Sequence, residues 1–60
     1  MINNDEALAL NKWINEWKKT YGEKPTFEEC LSWINWKFER SFVSNSDLKS
    51  IRVILKKVED

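Results

Sequence analysis

The stretch SNSDLKSIRVILKKV, residues 44–58, admits two readings, and the fold class turns on the choice between them. Leu48, Ile51, Leu55 and Val58 recur in steps of three, four and three, which is one face of a helix. Ile51, Val53, Ile54 and Val58 are β-branched, so 51–55 also reads as a short strand. A strand here would find no partner elsewhere in the chain and would leave an open edge. A helix satisfies its own backbone and needs only a face to pack against. Helix is therefore the preferred reading, over 47–58, with Ser46 or Ser44 as its cap.

Working back along the chain, Thr26-Phe27-Glu28-Glu29 is a capping box, with Thr26 at the N-cap and Glu29 three residues on. Lys24-Pro25 before it enforces an extended connection. A helix is predicted over 27–42, with Phe27, Leu31, Ile34 and Phe38 as its stripe, stopped by Ser44-Asn45-Ser46. The first helix is predicted over 4–21. Asn3 or Asn4 caps it, and Glu6 stands at the right distance from Asn3 for a reciprocal cap. Ala7, Leu10, Ile14, Trp17 and Tyr21 draw its stripe, and Gly22 is the expected C-cap. Short connections make successive helices antiparallel. The predicted fold is all-α, a small three-helix bundle formed by residues 1–60 as one domain.

The 60 residues must build that core without staples, because the chain has one Cys and no His. Four Trp and three Phe supply the area, each hiding roughly 150–250 Å² when buried. Ten basic and ten acidic residues balance to a formal net charge of zero, without the concentrated basic footprint of most nucleic-acid binders. Met1 and Ile2 lead straight into Asn-Asn-Asp-Glu, so neither a signal peptide nor a membrane span is expected. A lone Cys agrees with a reducing compartment, and a cytoplasmic location is the expectation.

Catalysis is not expected. General acid–base work at neutral pH most often uses His, which is absent. Cys30 falls on the apolar stripe between Phe27 and Ile34, where it is a small hydrophobe and no nucleophile. Glu28 and Glu29 complement the positive end of the helix dipole. With a single Gly there is no phosphate loop, and no metal or other cofactor is implied. A chain this short also leaves little room for a substrate pocket of several hundred Å³.

The tripeptide Trp-Ile-Asn occurs twice, as WINEW at 13–17 and WINW at 33–36. At about 100° per residue, Trp13 and Trp17 both point to the core side of the first helix, and Leu8 points away. On the second helix Trp33 lies on the shoulder of the stripe, where the third helix is expected to cover it. Trp36 lies about 180° from Phe27, on the outer face. The structural explanation of Trp36 is that residues 1–3 or the C-terminal tail fold over it. The functional one is a recognition surface, which Trp and Arg typically anchor. Arg40, one turn beyond, is then expected to stack on the indole.

The predicted function is a non-enzymatic interaction module binding a partner protein through Trp33, Trp36 and Arg40, with Glu29, Lys37 and Val43 around them. A homodimer through the same face is a variant of that reading. The competing class is a DNA- or RNA-binding module using Lys49, Arg52, Lys56 and Lys57 of the third segment. The ordinary explanation of those four is the solvated side of an amphipathic helix.

Overall fold

Each of the three helices starts on a side-chain cap. The computed structural model describes residues 2–58, which form α1 (Asn4–Tyr21), α2 (Phe27–Phe38) and α3 (Asn45–Lys57). Asn3 caps α1 with its side chain on the Glu6 N–H, and Glu6 returns the bond to the Asn3 N–H. Thr26 and Glu29 repeat that box at α2. Ser44, rather than Ser46, caps α3 by accepting from the Asp47 N–H at 3.1 Å. Gly22 closes α1 in the left-handed conformation (φ 78°), where its N–H donates to the Lys18 carbonyl. The segment 44–58 is thus a helix to Lys57, starting two residues earlier than expected, and no strand occurs among the described residues.

Leu10 and Ile14 of α1, Cys30 and Ile34 of α2, Ile51 of α3, and Phe42 and Val58 outside the helices form the buried core. Lys24 ties the connection before α2 to the end of α3. Its ammonium donates to the carbonyls of Leu55 (3.2 Å) and Val58 (2.6 Å). Those carbonyls lie at the negative end of the helix dipole, where a cation is favourable.

The second helix ends at Phe38, four residues short of the predicted Phe42. Glu39 takes the left-handed conformation (φ 51°, ψ 42°) and turns the chain out of the helix. Phe42 then enters the core, fully buried, and its N–H donates to Asn35 Oδ1 at 2.9 Å. The apolar stripe misled because Phe42 belongs to the core by either route. The Asn35 side chain supplies the partner that the Phe42 N–H loses when the helix breaks.

Two consequences are measurable. Glu39→Gly should stabilise the fold by roughly 0.5–1 kcal/mol in urea melts, since Gly escapes the left-handed penalty at some cost in unfolded-state entropy. Phe42→Ala should cost about 3–5 kcal/mol. In a domain this small that is most of the stability, so circular dichroism should show loss of cooperative folding at room temperature.

Candidate interaction surface

Trp36 stands on the outside of α2 with 72% of its surface exposed. Of the segments expected to cover it, Ile2 packs against the core and lines a cleft with Val53 and Ile54. Met1, Glu59 and Asp60 lie outside the described residues. Trp33, three residues before Trp36 and so its neighbour on the helix surface, is partly buried against the core. Its partner is α1 and not α3 as expected: the Trp33 and Trp13 rings stack at 5.0 Å with an interplanar angle of 11°.

That stack continues along α1. Trp13 meets Trp17 at 5.2 Å and Trp17 meets Tyr21 at 4.5 Å, both tilted. The four-residue spacing therefore does not send this row into the centre of the core, as predicted for Trp17 and Tyr21. Trp13 and Trp17 are partly buried, and Tyr21 is 64% exposed. A helical wheel gives the direction of a side chain but not whether a neighbour stands there. With 18 residues α1 is about 27 Å long, against about 18 Å for the 12 residues of α2, so part of its stripe has no cover. Leu8 is exposed, as expected.

A groove between α1 and α2 is lined by Ala9, Lys12, Trp13, Glu16, Trp33 and Lys37. Lys37 follows Trp36 directly in sequence, so the groove and the exposed indole adjoin. Glu29 is exposed on the same side of α2, with its carboxylate engaged in the Thr26 cap.

Two of the expected surface residues fall elsewhere. Because α2 stops at Phe38, Arg40 is not one turn above Trp36 and does not stack on it. Its guanidinium lies over the Phe42 ring at 4.3 Å and forms a double bridge to Glu6, Nε to Oε2 and Nη2 to Oε1, each 3.1 Å. Val43 is exposed, but in the connection to α3 and not on α2. The observed surface is Trp36, Trp33 and Lys37, extended across α1 by Trp13, Trp17 and Tyr21. The α1 extension was missed, since a wheel drawn on each helix separately cannot show rings meeting between helices.

The alternative set is accessible. Lys49, Arg52, Lys56 and Lys57 are all exposed, and Arg52 lies over the Phe27 ring at 4.4 Å. Clefts of about 320, 400 and 290 Å³ indent the described surface, larger than the chain length led one to expect; all are grooves between elements. Among the described residues no group of three or more His, Cys, Asp or Glu could hold a metal ion, and no helix is long and apolar enough to cross a membrane. No protein-family model matches the chain, and no curated protein or solved structure matches it.

Cys30 is fully buried. Burial pushes its thiol from an ordinary 9.0 up to about 11, the charge of Glu29 adds to the rise, and a backbone hydrogen bond opposes it. The folded state then holds the proton more tightly than the unfolded chain. This contribution to stability is complete below pH 9 and is lost as pH climbs towards 11. Between these limits the wild type should lose up to about 2–3 kcal/mol more than Cys30→Ala in urea melts. At neutral pH the native thiol should resist alkylation and react only after denaturation.

Proposed function

We propose that this chain is a non-enzymatic protein-interaction module of the cytoplasm. It acts by occupying a partner protein's surface as a regulator, adaptor or inhibitor, and the Trp36 face of α2 is its contact surface. One observation carries the reading: an indole with 72% of its surface exposed beside a row of rings in contact, Trp33, Trp13, Trp17 and Tyr21. Leaving a Trp in water forgoes roughly 1.5–3 kcal/mol of burial that even a smaller apolar side chain gains when covered. A bound partner recovers it.

The surface has the parts of an interface hot spot. Trp36 stands at the front, and the Trp13 and Trp33 rings behind it are already packed on each other and on the core, so less side-chain freedom is left for them to lose on binding. Lys12, Glu16 and Lys37 form a charged rim of mixed sign along the groove. Catalysis has less support. The buried Cys30 thiol stays protonated at neutral pH, and the sequence holds no His to serve as a base.

The test is affinity capture with the wild type and with Trp36→Ala. The substitution should change stability by no more than about 0.5 kcal/mol, because the side chain is exposed. It should weaken binding of any captured partner by more than about tenfold. Equal capture by both forms overturns the reading. Sedimentation of the two forms distinguishes a second copy from another protein as the occupant: a dimer that dissociates on Trp36→Ala identifies the copy.

A further inference from the structure

On α2, Phe27 lies about 180° from Trp36, so the opposite side of this helix carries a separate surface. There a cleft of about 400 Å³ is lined by Lys24, Pro25, Phe27, Arg52, Leu55 and Lys56. Its floor is apolar, from Pro25, Phe27 and Leu55, and its α3 wall is basic. Arg52 and Lys56 form that wall, and Lys49 stands one turn before Arg52 on the same face of α3, just outside the cleft, so the three cations span about 10 Å of helix. Among the described residues none of these three forms an ion pair. Lys24 is engaged differently, by the carbonyls of Leu55 and Val58.

We propose that this cleft is a second docking site, and that its occupant is an acidic amphipathic helix of a protein. Carboxylates at successive turns of that helix meet Lys49, Arg52 and Lys56, and an apolar side chain between them enters against Pro25 and Leu55. Charge complementarity selects the sign of the occupant. The one-turn spacing of three cations selects its pattern, because carboxylates three and four residues apart on a helix repeat at the same interval. The Arg52 guanidinium is held over Phe27, which limits its rotamers and readies its N–H fork for a carboxylate.

Single-stranded nucleic acid fits the cleft less well. Arg52 already covers a face of Phe27, and the rest of the floor is Pro25 and Leu55, so bases lack an open aromatic platform. Duplex DNA would find one short basic row on a chain with no net charge.

The test uses the full chain at low salt, followed by nuclear magnetic resonance. The probe is a capped peptide with glutamates at successive helical turns around one leucine. A scrambled peptide of the same composition and an oligothymidylate serve as comparisons. The patterned peptide should bind saturably and shift the amides of Phe27, Arg52 and Leu55. Arg52→Glu and Lys56→Glu should each weaken it about tenfold or more. Lys56 is exposed, so its variant tests charge without disturbing the Phe27 contact. Trp36→Ala should leave this binding unchanged, which separates the outcome from that of the Trp36 face. No saturable binding, equal binding of the scrambled peptide, tighter binding of the oligothymidylate, or shifts confined to other surfaces would overturn the proposal.

Discussion

The Glu6 carboxylate is the constraint on which the arrangement of the three helices depends. It is 5% exposed in a chain with little interior, and three hydrogen bonds reach it there. One oxygen accepts from the Asn3 N–H and from Arg40, and the other from Arg40 alone. A carboxylate at the first turn of a helix also sits in the favourable field of the helix dipole. Glu6 thereby joins the start of α1 to the connection between α2 and α3. Loss of Arg40 would leave the buried Glu6 carboxylate without two of its hydrogen bonds, whereas the half-exposed Arg40 can turn to water if Glu6 is lost, so the bridge specifies position more than it adds stability.

The 39–44 connection is built around that bridge. Arg40 reaches Glu6 because Glu39 has turned the chain out of α2. The same turn brings Phe42 under the Arg40 guanidinium and into the core, with Asn35 receiving its N–H. Ser44 can then cap α3 two residues after the buried ring. The link from local conformation to packing is direct: one left-handed residue relocates an aromatic ring and a cation, and so removes Arg40 from the Trp36 face. The remaining indole surface is more apolar than a Trp–Arg pair, and it is extended by rings from α1.

Much of the fold was legible because caps and turn residues act locally. Thr26 with Glu29, Asn3 with Glu6, and Gly22 each satisfy backbone groups within a few residues, so their spacing is visible in the chain itself. The exposure of Trp36 was legible for a related reason, since a residue opposite the stripe of a packed helix faces outward whatever lies on the other side. The end of α2 was not. No Gly marks it, and Phe42 continues the stripe at helical spacing. The partners of Trp33 and Arg40 were hidden too, because both lie more than nineteen residues away, on α1.

The sequence by itself determined the all-α class, the three segments, the starts of α1 and α2, and the outward direction of Trp36. These rest on side chains that contact backbone one turn away and on a periodicity that one helix carries alone. Only the tertiary structure decided where α2 stops, that Glu6 is a buried hub, that Trp13 and Trp33 stack between helices, and that Arg40 turns inward. Each of those weighs a local cost, such as a left-handed Glu39 or a desolvated carboxylate, against contacts made with residues far along the chain. Such a comparison has no value until the helices are packed.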